Sequence, residues 1–184
     1  MPEPPVRGLG RRHIVLALGL TALAVYVLDQ ITKAVAKSAL EGKEPVEVVG
    51  GLLRMRLVLN PGAAFGIAGG ATIVFTIVAA AVAIAIVRMA RTLHSVPWAI
   101  ALGLLLGGAL GNLTDRVLRE PGLFRGHVVD FLELPHWPVF NVADMAICTA
   151  AAALVLLSLL GVQPAGDSGS DVAEHPATPE RHDA

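Results

Sequence analysis

The segment Phe140-Asn141-Val142-Ala143-Asp144-Met145-Ala146-Ile147 runs directly into a predominantly apolar stretch that lasts to residue 162. Residues 145–162 are long and apolar enough to cross a bilayer as a helix, which takes roughly 17–25 residues. The span is therefore headed by a carboxylate, Asp144. A second carboxylate, Asp130, stands in Val128-Val129-Asp130-Phe131-Leu132, equally apolar company. A carboxylate against hydrocarbon is costly, so it neutralises, finds a partner or performs chemistry. Two of them, joined by a short link containing Pro135, Trp137 and Pro138, raise the possibility of a pair that shares a proton.

Working outward, three more stretches have span character: residues 14–28, 71–87 and 96–113. The first is short and lengthens through Ile31-Thr32 if Lys33 snorkels to the headgroups. Composition agrees with a four-span membrane protein. The 184 residues are 54% hydrophobic and only 16% charged, with mean hydropathy +0.66, whereas soluble domains carry about 25% charged residues. A net charge of -1 without a basic patch argues against a nucleic-acid partner. The first span follows basic residues, as a cleavable signal peptide does, but continues into Asp29-Gln30-Ile31-Thr32-Lys33 rather than a small-x-small site, and reads as a retained anchor. An even number of spans puts both termini on one side. Charge leaves the side open, because Arg7, Arg11, Arg12, Arg88 and Arg91 oppose Lys33, Lys37, Lys43, Arg54 and Arg56.

Residues 1–12 form a polar leader, and 163–184, rich in Pro, Gly, Ser, Asp, Glu and His, are expected to be a disordered tail. Between spans one and two, residues 45–59 alternate in polarity about Gly50-Gly51 and predict a small β platform at the membrane surface. In span three, Gly103, Gly107 and Gly111 recur every fourth residue and predict a ridge for close helix packing. The single cysteine, Cys148, excludes an internal disulfide and reads as a small buried hydrophobe.

The remaining polar residues each carry a plain and a sharper reading. Asn141 and Asp144 have the spacing of a capping box; beyond starting a helix, that N-terminus favours an anionic Asp144. Asp130, among valines and phenylalanine, is expected to have its pKa raised by desolvation. Asn112, Asp115 and Arg116 fall at helical offsets of three and four, either as a helix end with an ion pair or as donors to substrate or an aspartate. Asn60, before Pro61-Gly62, either caps a turn or reaches a substrate carbonyl. Asp29 and Lys33, at i and i+4, form an ion pair that ends span one or meets lipid headgroups. The six histidines lack ligand spacing, no nucleotide motif is present, and Ser38 beside Lys37 is better explained by an amphipathic stretch, so no metal and no cofactor are expected.

Taken in order, Asp29-Gln30-x-x-Lys33, Asn60-x-Gly62-Ala63-x-Phe65-Gly66, Gly107-Gly108-Ala109-x-Gly111-Asn112-x-x-Asp115-Arg116, Val128-Val129-Asp130-Phe131 and Phe140-Asn141-Val142-Ala143-Asp144 resemble the boxes of the lipoprotein signal peptidase (signal peptidase II) family. The resemblance runs from the end of span one to the start of span four. It implies an all-α membrane fold of four transmembrane helices, with a small extracytoplasmic β-hairpin or sheet between the first two and a peptidase domain over 13–162. It implies an aspartic endopeptidase of the bacterial cytoplasmic (inner) membrane that cleaves signal peptides from diacylglyceryl-modified prolipoproteins, ahead of the lipidated cysteine. Asp130 and Asp144 are then the catalytic pair. Asn60, Asn112, Arg116 and Asn141 contact substrate, with Asp29, Lys33, Gly62 and Asp115 in support. Leader and tail are cytoplasmic, the site lies near the extracytoplasmic face, and membrane lipids surround what is expected to be a monomer. Two features depart from the family pattern: Thr114 replaces an apolar residue, and the link from Phe131 to Asn141 is short, which bears on gating. The rival readings are a small proton- or cation-coupled transporter using the same carboxylates, against which the lack of an internal repeat counts, and a non-catalytic assembly factor.

Overall fold

The computed structural model describes residues 10–62 and 71–165. The chain runs α1 (Arg11–Leu40), β1 (Val46–Val49), β2 (Leu53–Asn60), α2 (Ala71–Met89), α3 (Val96–Leu118), β3 (Val128–Glu133) and α4 (Val142–Leu159). All four helices are long and apolar enough to cross a membrane. Residues 1–9 and 166–184, which hold most of the leader and tail, and Ala63, Phe65 and Gly66 lie outside the described residues.

The first helix is twice the length expected for span one. Its 30 residues extend about 45 Å at 1.5 Å each, beyond a hydrocarbon core of about 30 Å. Asp29, Gln30 and Lys33 do not end it, because their side chains are satisfied inside the bundle. Lys33 does not snorkel: it is fully buried. The helix also begins at Arg11, within the expected leader. Its α4 counterpart starts three residues ahead of the expected span, where Asn141 caps it, and α3 continues through the polar end of span three to Leu118.

The glycines of α3 set the packing. A Cβ on Gly103 would stand 2.7 Å from the Leu18 carbonyl oxygen, and one on Gly107 2.6 Å from that of Ala22. Both partners lie on α1, so these helices run parallel with their backbones in near contact. On another face of α3, a Cβ at Gly108 would come within 2.6 Å of the Ala143 carbonyl of α4. Lipid tails are as apolar as leucine, so close backbone approach and polar contacts hold such helices together. Accordingly Leu20, Leu23, Ile77 and Leu159 face outward. Cys148, expected to be buried, is also exposed, on the outer face of α4 where lipid lies.

One apolar cluster fills the end of the bundle that holds the start of α1, with Ile14, Leu18, Ala22, Ile86, Ala99 and Leu102. At that end the exit from α4 is tied to the entry of α3: Trp98 Nε1 donates to the Val162 carbonyl at 2.8 Å, and the His94 amide to that of Pro164 at 2.9 Å.

At the opposite end sits a three-stranded antiparallel sheet in the order β1-β2-β3. The expected hairpin is its first two strands, with the turn at Gly50, whose φ is 49°. Leu53, Met55 and Leu57 turn inward while Arg54 and Arg56 turn out. Met55 and Leu57 pack with Leu40 of α1 and Phe131 of β3. The third strand extends the expected platform: it comes from the far end of the sequence and carries Asp130. Its apolar, β-branched run is a strand signal, whose burial from both sides hides the alternation of β2.

Gly107→Leu is expected to lower the thermal midpoint of the detergent-solubilised protein, overpacking costing about 1–3 kcal/mol. Gly19→Ala, whose added methyl meets nothing within 4 Å, should leave that midpoint unchanged or slightly higher.

Candidate active site

The polar residues singled out above converge at the sheet end of the bundle, where α1, α3, β2, β3 and the start of α4 meet. At the centre is Lys33. Its ammonium stands 2.8 Å from Asp29 Oδ2, 2.8 Å from Asp115 Oδ2 and 2.8 Å from Asn112 Oδ1. Lys33, Asp29 and Asp115 are all 0% exposed. The predicted Asp29–Lys33 pair thus forms, but in the core of the site rather than at the headgroups. Asp29 fits because Gly111 presents no side chain where its carboxylate lies. Asp115 forms the intrahelical ion pair expected at the end of α3, though with Arg119 Nε, at 2.5 Å, rather than Arg116, and it also binds Lys33.

Asp130 and Asp144 lie on two sides of this core. Asp130 is 2% exposed, and both its oxygens accept amide hydrogens: Oδ1 from Asn141 Nδ2 at 2.6 Å and Oδ2 from Asn60 Nδ2 at 2.8 Å. The Asn60 contact follows from register. Asn60 pairs with Val128 across the sheet, so Asp130, two residues on, is its diagonal neighbour on the same face. One of the two hydrogens on Asn60 Nδ2 is thus engaged by Asp130. Gly62 supports it, donating its backbone N–H to Asn60 Oδ1 at 2.8 Å. The φ of 89° at Gly62 makes glycine the natural residue there.

Asp144 is held by the expected capping box: its Oδ2 accepts from the Asn141 backbone N–H at 3.2 Å, and its own N–H donates to Asn141 Oδ1 at 3.0 Å. Its Oδ1 accepts from Asn112 Nδ2 at 2.8 Å. Asn141 thus touches both carboxylates, through its side chain on one and its backbone on the other. Asn112 serves an aspartate, one of the two roles its position allows. Arg116 bonds neither aspartate; its Nη1 donates to the Asn112 carbonyl at 3.2 Å and its guanidinium lies over the Phe75 ring at 5.6 Å.

Burial is the main cause of a strong shift at Asp130, whose carboxyl is pushed up to about 6. The hydrogen bond from Asn60 opposes that shift, the nearby Asp144 adds to it, and Asn141 and Lys33 oppose it. The direction expected from its apolar neighbours is the one found.

Two apolar grooves reach the polar residues of the site. One, about 300 Å³, lies between α2 and α3 and runs from Val82 and Leu105 to Asn112 and Arg116. The other, about 180 Å³, is lined by Trp137, Phe140, Met145 and Cys148 and ends at Asp144. The short link between the aspartates shapes the second groove. Phe140 pairs back onto Leu132, with Phe140 N–H to Leu132 O and Leu132 N–H to Phe140 O both at 2.9 Å, so residues 133–139 form a tight loop with Trp137 exposed. Thr72 was not singled out by sequence; its hydroxyl donates to the Pro61 carbonyl and ties the start of α2 to the end of β2.

The fold and site together define a polytopic membrane enzyme, and known proteins agree. Two solved bacterial membrane enzymes superpose with a TM-score of 0.68 each. One is 29% identical, covering 80% of this chain and 90% of its own; the other is 31% identical, covering 78% and 92%. The lipoprotein signal peptidase of Streptomyces coelicolor is 50% identical over 167 residues, 91% of this chain and 81% of that protein. That of Mycobacterium tuberculosis is 46% identical over 160 residues, 87% and 76% respectively. A family model described as signal peptidase (SPase) II matches residues 21–160. The chain belongs to the signal peptidase II family, and is a peptidase.

Asp130 also sets a pH dependence of stability. A carboxyl raised in the folded state binds more protons there than in the unfolded chain, so stability falls as pH rises from the ordinary value of 3.8 to about 6. Asp130→Asn should flatten the slope of the thermal midpoint across that window, measured in detergent at closely spaced pH values.

Proposed function

We propose that the chain is an aspartic endopeptidase of the bacterial inner membrane, cleaving signal peptides from diacylglyceryl-modified prolipoproteins on the amino side of the lipidated cysteine. Family membership supports the substrate class. The observation that carries the chemistry is the single constellation in which Asn141 joins Asp130 and Asp144 while Asn60 and Asn112 hold their remaining oxygens.

The two carboxylates hold one proton between them. The ionised one removes a proton from a water, whose oxygen attacks the scissile carbonyl carbon. The protonated one donates a hydrogen bond to the carbonyl oxygen as charge develops there. Collapse of the tetrahedral species breaks the C–N bond, and the proton passes to the leaving amine. Each proton-transfer role contributes on the order of 10²–10⁴-fold. Burial in the sheet pushes Asp130 up to about 6, which favours it as the proton holder of the pair. Arg116, at the inner end of the α2–α3 groove, contacts substrate. Asn60, Asn112 and Asn141 act chiefly by fixing the aspartates.

The substrate has two apolar parts flanking its scissile bond, a signal peptide and acyl chains, and one apolar groove ends at Asp144 while another ends at Asn112 and Arg116. The tight loop at Trp137 borders one of them and governs which substrates enter. The sheet end of the bundle faces outward from the cytoplasm, both termini with leader and tail lie in the cytoplasm, and the enzyme works as a monomer among membrane lipids. Membership of a peptidase family displaces the transporter and assembly-factor readings.

Asp130→Asn and Asp144→Asn should each abolish release of the signal peptide from a lipid-modified precursor by purified, folded protein, with unlipidated precursor uncleaved by the parent. Normal processing by either variant sinks the assignment of that aspartate, and efficient cleavage without lipid sinks the substrate class.

A further inference from the structure

Three contacts with no apparent chemical duty share one origin. Asp29 Oδ1 accepts the backbone N–H of Ala143 at 2.9 Å, and Asp115 Oδ2 that of Val129 at 3.3 Å. Ala143 immediately precedes Asp144, and Val129 immediately precedes Asp130. Each carboxylate therefore grips the backbone one residue ahead of one member of the pair. Both carboxylates bind the same ammonium, that of Lys33.

The third contact fixes an amide. Asn112 can present either its oxygen or its nitrogen to Asp144. An ammonium has only donors, so Lys33, joined at 3.2 Å by Asn141 Nδ2, requires the Asn112 oxygen and turns Nδ2 toward Asp144, where it donates at 2.8 Å. One cation thus reaches both aspartates, through the backbone of each and through a side-chain amide of one.

We propose that Lys33 is the positioning residue of the Asp130–Asp144 pair, setting the placement of both carboxylates through Asp29 and Asp115 and the hydrogen-bond polarity at Asp144 through Asn112. This rests on the aspartic reading above. Lys33 bonds neither aspartate directly, so it is not itself catalytic. It also biases the pair electrostatically. The charged groups facing Asp130 are Asp144 on α4, Arg116 on α3 and Lys33 on α1; Asp115 of α3 binds the Val129 N–H beside it, and β2 offers the neutral Asn60. Removing the ammonium takes away a cation that favours the ionised pair.

The test compares Lys33→Met with the double variant Asp29→Asn/Lys33→Met, cleaving a lipidated precursor in detergent across a range of pH. The double variant conserves net charge, leaves Asp115 its Arg119 partner and keeps an acceptor at residue 29 for the Ala143 amide, so it folds even where the single variant does not. Leu102→Ala, a cavity at the far end of the bundle, controls for general loosening. In the folded lysine variants kcat is expected to fall on the order of 100-fold, the scale of an ångström-sized misplacement, with KM within about threefold of the parent; in Lys33→Met, where the cation alone is lost, the alkaline limb of kcat/KM is also expected to move to higher pH. A double variant with kcat within about twofold of the parent, a loss that appears in KM, an unmoved alkaline limb in folded Lys33→Met, or the same changes in Leu102→Ala each overturns the proposal. Failure of the aspartic reading is distinguishable, because then Asp130→Asn and Asp144→Asn remain active in the same assay.

Discussion

A fully buried ammonium is tolerable only if every donor has an acceptor and its charge is matched, and Lys33 meets that condition because α1 and α3 are nearly in backbone contact. The approach is made by glycine. Gly103 and Gly107 let α1 lie against α3, and Gly111, one turn further, leaves the hollow that takes the Asp29 carboxylate. With a side chain at any of these positions the helices would separate and the ion pair would open. Breaking a buried pair by removing one partner costs about 3–5 kcal/mol, so the ridge and the ion pair stand or fall together. Everything at the sheet end is hung from this crossing: the start of α4 through Asp29, β3 through Asp115, and Asp144 through Asn112.

That dependence explains which parts were legible from sequence. The glycine ridge, the hairpin and the Asn141–Asp144 capping box are local patterns, and each was readable within a few residues, as were three of the four spans; α1 alone runs far past its expected end at residue 28, to Leu40. Lys33 was not legible in this way. Four residues beyond Asp29 at the end of an apolar run, it reads as a snorkelling lysine, and only Asp115, 82 positions away, makes inward burial favourable. The bond from Asn60 to Asp130 was hidden for a similar reason: Asp130 arrives by strand pairing with a segment 70 residues further along, and no local signal specifies that register, whereas the turn cap that Asn60 forms with the Gly62 N–H was among its local readings. Cys148 shows the opposite error. The rule that cysteine is buried assumes water outside, and on α4 the outside is lipid.

The polar end also shows why the link between the aspartates can be short. Asp130 ends its useful run in β3 and Asp144 begins α4, so the chain between has only to turn back. Phe140 does this by pairing with Leu132 beside the strand that carries Asp130. The return leaves Asn141 next to Asp130 and able to cap the helix of Asp144. A longer excursion would require Asn141 to be brought back by other contacts, whereas here the turn itself delivers it.

Hydrogen-bond polarity constrains where a proton on the pair can go. The amide orientations are set by groups that can only donate: the Gly62 N–H fixes Asn60, the Asp144 N–H fixes Asn141 and the Lys33 ammonium fixes Asn112. As a result all four carboxylate oxygens face donors, namely Asn141 Nδ2 and Asn60 Nδ2 at Asp130, and Asn112 Nδ2 and the Asn141 N–H at Asp144. None of these partners can accept a hydrogen. A proton held by either carboxyl must therefore point away from its supports, toward the other carboxylate or toward whatever water or carbonyl stands before the pair. In the proposed reaction that is where an acid is needed, since a proton engaged with the scaffold would first have to be released from it. The asparagines thus do more than solvate buried charge: by offering only donors, they leave, in the proposed reaction, the substrate side as the direction in which the acid can act.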